Sequence, residues 1–400
     1  YILKSILFVN SLTSDMIEIV ERSLRIMLLK NGHVFPVEGE DFFGDIRISK
    51  NVIADVGKDL EALPKEEIID CTGLNIYPGM VEAHCHLGME ESSIRMEGND
   101  VNEMSDPLTP QVRGIDGCYI LDESVKNARE AGITCVAAGP GSANVVGGTF
   151  VCYKTNGKCI DDAIVQENIA MKAAFGENPK RVYQDSKIKT RMNIAALLRN
   201  LLFKTKEYME KKENGKDVPF NMQFEAMIPV LKKEMPLKCH AHRSDDILTA
   251  IRIGKEFDLD LTLDHVTDGA IIVDKIKESG YPCIVGPAFT HKSKYELKAK
   301  SFKTPKVMKE NGILFSITTD SPVVPQEYLP ICAALSVKEG LSEKDAIEAI
   351  TLSPAKILKI SDRVGSIKVG KDADLILCTS SLLDPQNEIK RVFIDGKPIN

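Results

Sequence analysis

His84 and His86 stand two residues apart in Val81-Glu82-Ala83-His84-Cys85-His86-Leu87-Gly88, directly after Asn75-Ile76-Tyr77-Pro78-Gly79-Met80. On a strand, side chains two apart share a face. Both imidazoles therefore point one way, close enough to hold one metal ion, while Cys85 points to the opposite face and packs. The same residue types recur downstream at the ends of short apolar runs: Lys238-Cys239-His240-Ala241-His242, Leu263-Asp264-His265 and Thr318-Thr319-Asp320-Ser321-Pro322. A single His-x-His pair is weak evidence. Five of the seven histidines at such ends, with an aspartate before a Pro turn, form a pattern that chance does not readily produce. Neutral imidazoles suit zinc and similar divalent ions, and a carboxylate can both touch the metal and take a proton. Such an ion lowers the pKa of bound water to ~7, and a nearby aspartate can pass the released proton to a leaving nitrogen.

Those side chains need a scaffold that brings strand ends together. From Ile76 to about Ile360, short apolar strands alternate with helical stretches, the pattern of a parallel α/β fold. The expected strands are Ile76–His84, Ile133–Ala138, Val145–Tyr153, Ile169–Phe175, Leu237–His242, Leu259–His265, Pro282–Val285 and Ile313–Thr319. Helices are expected at Asp122–Ala131, Asp161–Asn168, Arg191–Lys212, Asp245–Phe257, Gly269–Ser279 and Lys303–Asn311, and two more follow the last strand. The second of these opens on Ser342-Glu343-Lys344-Asp345, a capping-box pattern with Asp in place of Glu or Gln. Eight strands with helical crossovers predict a (β/α)₈ TIM barrel over 76–360, its chemistry at the carboxyl ends of the strands. The flanks, 24–75 and 361–400, are β-rich. Neither has enough strands to close a core, so they are expected to form one small composite β-sandwich. Residues 1–23 read as an N-terminal extension of no assigned role. Ser14-Asp15 could cap a short helix there, and no small-residue cleavage site marks a signal peptide.

Composition narrows the partners. A net charge of -7 and no basic cluster argue against nucleic acid. No apolar run approaches the ~20 residues of a membrane span. Ten cysteines without CxxC pairs fit reduced, buried thiols in a cytoplasmic protein. The glycines of Gly139–Gly148 lack a following Gly-Lys-Ser/Thr and read as a turn, not a phosphate cradle. Lys204–Lys216 reads as a solvated helix face and loop.

His84-x-His86 on strand one, a histidine each on strands five and six, and Asp320 on strand eight resemble the amidohydrolase superfamily. Gly365-Ser366-Ile367-Lys368-Val369-Gly370-Lys371-Asp372-Ala373-Asp374-Leu375 looks like its closing segment, and the likeness is nearest to the imidazolonepropionase-like and Xaa-Pro-dipeptidase-like group. The resemblance implies a metal-dependent hydrolase of C–N bonds (amide, peptide or cyclic amide) acting on a small molecule. Its metal ligands would be His84, His86, His240, His265 and Asp320, with Asp320 and His265 catalytic. It also implies one or two divalent ions, zinc foremost, and a fold that often forms homo-oligomers. A mononuclear site would instead favour deamination or imidazolone-type ring opening, and a metal-free relative would act in binding or assembly. His240 and His242 compete for the strand-five position. His240 is favoured as ligand, with His242 lining the pocket. Two-metal members bridge their ions with a strand-four carboxylated lysine or a glutamate. This chain offers Lys172 and Glu177, and Glu177 is the slightly favoured expectation because it needs no modification. Met89 to Gly117 is expected to cover the site. Arg95, Arg113, Tyr183 and Arg191 are candidates to hold a substrate carboxylate, and His291 to touch substrate.

Overall fold

The structure is a computed structural model that describes residues 26–92 and 95–399. The Tyr1–Arg22 stretch, with its expected Ser14-Asp15 cap, lies outside the described residues. The chain divides into two compact units. One runs to Gly79 and takes in Asp362–Ser381 and the residues from Gln386 onward; the other is Met80–Ser361 with Leu382–Pro385.

The first unit is a sheet built from both ends of the chain. Its strands are β1 (Ile26–Val34), β2 (Phe42–Ser49), β3 (Val52–Gly57), β4 (Glu67–Asp70), β5 (Asn75–Pro78), β14 (Leu375–Cys378), β15 (Ile389–Ile394) and β16 (Lys397–Ile399). The order is β16-β15-β14-β5-β1-β2-β3, with β4 beside β1. The antiparallel β14–β5 pairing, Leu375 opposite Pro78 through Cys378 opposite Asn75, sews the C-terminal strands to the N-terminal ones. Alternating apolar positions from both segments share one core, including Leu29, Ile46, Ile76, Leu375, Leu377 and Phe393.

The second unit is a nearly closed barrel of β6 (Met80–Cys85), β7 (Ile133–Ala138), β8 (Val146–Lys154), β9 (Ile164–Ala174), β10 (Leu237–Ala241), β11 (Leu261–His265), β12 (Cys283–Val285) and β13 (Phe315–Ile317), neighbours in that order. At the carboxyl rim its two ends are tied by Thr318 Oγ1 donating to the His84 carbonyl at 2.7 Å and by His86 N–H donating to Ser321 O at 2.8 Å. The expected first strand from Ile76 is in fact two strands, parted at Gly79. The third departs further. β8 runs antiparallel to both β7 and β9, so two hairpins stand where a helical crossover was expected. Asp161–Asn168, expected as a helix, is a single 3₁₀ turn at Ile160–Asp162 leading into the eleven-residue β9. Its acidic start mimics a helix cap, but pairing of Gln166 with Cys152 and Ile164 with Tyr153 takes the backbone into the sheet. Gly148 sits at φ 119°, where a Cβ would come within 2.3 Å of the Val112 carbonyl oxygen, so only glycine lets the hairpin pass.

Helices surround the remaining strands: α1 (Glu123–Glu130), α2 (Glu177–Val182), α3 (Arg191–Glu213), α4 (Met222–Leu231), α5 (Ser244–Glu256), α6 (Val273–Ser279), α7 (Thr304–Glu310), α8 (Leu329–Lys338), α9 (Glu343–Glu348) and α10 (Leu352–Ile357). The Ser342 cap forms as expected, its hydroxyl oxygen accepting from Asp345 N–H. Among the described residues no helix is long and apolar enough to cross a membrane.

Candidate metal centre

The carboxyl rim of the barrel gathers the five strand-end histidines and Asp320. Two groups have potential ligand atoms mutually within 4.8 Å: His84, His86 and Asp320, and His240, His242 and His265. They adjoin, the His84 and His265 rings lying edge to face with centroids 5.0 Å apart. His86 Nε2 and His84 Nε2 lie 3.3 and 3.5 Å from Asp320 Oδ1.

Each imidazole is held by its Nδ1. His86 Nδ1 lies 2.7 Å from Gly139 O, His265 Nδ1 2.8 Å from Gly286 O, and His84 Nδ1 2.8 Å from Asp264 Oδ2. Carbonyl and carboxylate oxygens only accept, so these three Nδ1 atoms carry the proton and leave Nε2 as a lone pair. His240 Nδ1 meets Ser142 Oγ and His242 Nδ1 meets Thr267 Oγ1, both at 2.8 Å. His265 Nε2 and Asp320 Oδ1 are buried polar atoms without a hydrogen-bond partner. Such orphans are rare and call for an explanation. His265 at φ 76° and Asp320 at φ 54° also hold the left-handed backbone region, a strain that tends to collect at functional sites.

The electrostatics keep these groups ready to ligate. Burial, then the neighbouring His265 and His242, pushes His240 well below the ordinary imidazole range. Burial does the same to His242, and takes His265 down to about 3 against the opposing pull of Asp320. Burial alone would raise Asp320, but His265, His84 and His86 outweigh it and hold the carboxyl well below its usual range. At neutral pH His240, His242 and His265 are thus neutral imidazoles beside an ionised Asp320.

Lys172, not Glu177, is the strand-four residue in this cluster. Lys172 is fully buried on β9 with Nζ 3.1 Å from His84 Nε2, and burial draws its pKa down to about 8. Glu177 is already past the strand: it opens α2, and its backbone N–H bonds the Glu296 carboxylate. The strand ends at Ala174 and the chain turns at Gly176 (φ 83°), so alternation no longer governs where residue 177 points. His240 and His242 both join the His265 cluster, with ring centroids 4.4 and 4.8 Å from that of His265, so the structure draws no line between ligand and pocket wall.

The expected anion-binding residues are not gathered here. Arg113 is exposed and engaged by Asp116 and Glu167; Arg191 is engaged by Asp246 and Glu296. The Tyr183 hydroxyl donates to Asn144 Oδ1 at 2.7 Å, and Arg95 and His291 lie exposed. The charge of each guanidinium is already compensated by two carboxylates, which leaves no unpaired cation for a third.

Sequence reasoning passed over four residues. Asp264 is fully buried between His84 and Lys238, whose Nζ lies 3.3 Å from Oδ2. Its place one residue before His265 signalled the opposite strand face, but not that His84 would need it. Glu82 accepts from His84 N–H at 3.0 Å and from Thr319 N–H at 3.1 Å, tying β6 to the turn that carries Asp320. Ser142 and Asn178 reach His240 from the β7–β8 loop and from α2. The Met89–Gly117 segment clasps that loop: Asn102 Oδ1 accepts from Ala143 N–H at 2.9 Å and Val101 O from Gly141 N–H at 2.7 Å.

The amidohydrolase family model matches residues 75–399. The chain belongs to that family. An amidohydrolase structure from Thermotoga maritima superposes with a TM-score of 0.91 at 39% identity, covering 94% of this chain and 99% of that one. Among curated proteins, amidohydrolase tasK of Hapsidospora irregularis is 26% identical over 89% of this amidohydrolase chain, which spans only 40% of tasK. A dihydroorotase of Acetivibrio thermocellus is 21% identical over 88% of both chains.

Proposed function

We propose that the protein is a metal-dependent hydrolase of C–N bonds in small amides, peptides or cyclic amides. The reading is carried by five buried imidazoles pinned at Nδ1 around an ionised Asp320, with His265 Nε2 and Asp320 Oδ1 left unpartnered. That donor set fits a divalent ion: neutral nitrogens and one carboxylate suit zinc, and the orphaned atoms are what a ligand set without its ion looks like. His84, His86 and Asp320 would hold one ion, and His265 with His240 or His242 a second. Bound there, the metal would supply Lewis acidity toward the scissile carbonyl and a lowered pKa for water.

The protein's own groups do the rest. Asp320, ionised at neutral pH, takes a proton from the attacking water and returns it to the departing nitrogen. Asp264 fixes the His84 tautomer and orientation from behind, as a hydrogen-bonded carboxylate does for a metal-ligating histidine. Lys172, with Nζ 3.1 Å from His84 Nε2, would bridge the two groups as a carbamate. Its neutral amine, accessible because burial lowers the pKa to about 8, would bond CO₂ carbon through Nζ and lose a proton. Two ligand groups favour amide or peptide hydrolysis over mononuclear deamination.

Elemental analysis of purified protein, with a turnover screen of dipeptides, N-acyl amino acids, cyclic ureides and aminated heterocycles, tests the reading, using Asp320→Asn as control. Two ions per chain and turnover reduced roughly 10²–10⁴-fold in the control are expected. One ion and activity only on aminated rings would replace it with the deaminase reading; wild-type rates in the control would overturn the role of Asp320.

A further inference from the structure

With the arginines engaged or remote, the rim still carries positive charge. We propose that Lys294 and Lys300, on the segment after β12, form an anion-binding subsite beside the metal centre, so that the amide cleaved there carries a carboxylate or phosphate group. This rests on the C–N hydrolase reading above and names its substrate class.

Geometry puts both ammonium groups at the rim. Lys294 Nζ donates to Asn178 Oδ1 at 2.7 Å, and the Asn178 amide nitrogen lies 3.3 Å from His240 Nε2, so one side chain separates the lysine from the histidine cluster. Lys300 lines a small cavity together with His265, Gly286 and Thr318, its Nζ donating to Thr290 Oγ1 at 2.6 Å. The positive charge of each is felt at His242, and the charge of Asp320 is felt at both.

Lys294 and Lys300 are partly buried without an ion-pair partner among the described residues. Buried Lys238 has Asp264, and half-buried Arg191 has Asp246 and Glu296. Among the described residues neither Lys294 nor Lys300 forms an ion pair; their partners are an amide oxygen, a hydroxyl and a backbone carbonyl. Burial pulls the pKa of both downward, outweighing the carboxylates that act on them without pairing, Glu296, Asp320 and Glu177 for Lys294 and Asp320 for Lys300. A charge taken partly from water without a partner is costly. An incoming anion would relieve that cost at two ammonium groups whose charges act on each other, and orient the amide toward the histidines. Asp320 does not fill this role, since its oxygens face His84, His86 and His265.

The test uses the metal-loaded full chain and matched pairs: N-acetylalanine against N-acetylalaninamide, and dipeptides against their C-terminal amides. Acetate and inorganic phosphate serve as competitors. Lys294→Met and Lys300→Met keep the aliphatic stem and remove the charge; the Arg variants restore it, and exposed Lys298→Met is the control. Both kcat/KM and, by calorimetry, Kd are measured. Wild type should prefer the anionic member, and each Met variant should cut that preference about ten- to hundredfold through KM and Kd, the range of a charge-assisted hydrogen bond. The Arg variants should recover part of it and Lys298→Met should keep it. Stronger competition by phosphate than by acetate would assign the subsite to phosphate-bearing amides, and the reverse to carboxylates. Binding preference without any turnover would sink the hydrolase reading and leave the subsite standing. Equal handling of charged and neutral members by wild type, or a preference that survives both Met variants, overturns the proposal.

Discussion

Asp264→Asn separates the shape of the buried network from its charge. The amide can still accept from His84 Nδ1, so the 2.8 Å contact survives, but Lys238 loses the anion at 3.3 Å and keeps only the Ala83 carbonyl at 3.0 Å. Unit charges at that separation interact by about 5 kcal/mol at an effective dielectric of ~20. Removing one partner of a buried pair costs about 3–5 kcal/mol, because the other is left uncompensated. A stability loss of that size is the expectation. The chain has no Trp, so circular dichroism against urea is the natural probe. Metal affinity, read by chelator competition, should fall about ten- to hundredfold as His84 loses its anionic support. Adding Lys238→Met to Asp264→Asn removes the orphaned ammonium and should restore more than half of the lost stability. The pH dependence has a definite sign. Burial alone would raise Asp264, but Lys238 and His84 outweigh it and hold the carboxyl far below its usual range. A carboxyl lower in the folded than in the unfolded chain stabilises above the unfolded value of ~3.9, and that stabilisation is lost as pH falls toward the folded one. The gap between wild type and Asp264→Asn should therefore be constant near neutrality and narrow below about pH 4. A gap under about 1 kcal/mol at pH 7, or no recovery in the double variant, would refute the account of a charge-compensated network.

Asp320→Asn should retain metal by elemental analysis while kcat falls roughly 10²–10⁴-fold, the usual worth of a general acid–base group. Lys172→Met should drop the metal content below two ions per chain, whereas Glu177→Gln should keep it, because Lys172 rather than Glu177 touches His84. Intact-mass analysis of wild type under bicarbonate checks the carbamate directly. Gly148→Ala should destabilise the barrel by roughly 2–4 kcal/mol in thermal or urea unfolding, from positive φ and a backbone clash together.

The rim histidines were legible because strand period and residue chemistry coincide: His84 and His86 share a face by alternation, and the other strand-end groups follow apolar runs that can only be barrel strands. The direction of β8 was not legible. Val146–Lys154 is buried at every position, so its periodicity is silent about whether it pairs parallel or antiparallel. Only the lengths of its connections, too short for a crossover helix, carry that information. The misreading of Asp161–Asn168 has the same root, since a hairpin partner overrode the local propensity. Glu177 was favoured for its chemistry alone, and nothing in the sequence marks that the strand ends at Ala174 and turns at Gly176 before reaching it.

The reversed strand has a consequence for chemistry. In a regular βα unit the rim loop after β7 would lead down into a helix on the outside. Here it doubles straight back into β8, and the short Gly139–Val145 turn stays over the barrel mouth. Gly139 O holds His86 and Ser142 Oγ meets His240, so one turn orients a histidine in each ligand group. Glycines in this turn therefore serve close packing and not phosphate binding: a Cβ on Gly139 would overlap the Phe150 ring at 2.1 Å, and one on Gly141 would meet the Asn102 side chain at 2.6 Å. Asn102 belongs to the segment expected to cover the site. Its position makes that segment a brace for the turn, and so for His86 and His240, before any substrate arrives.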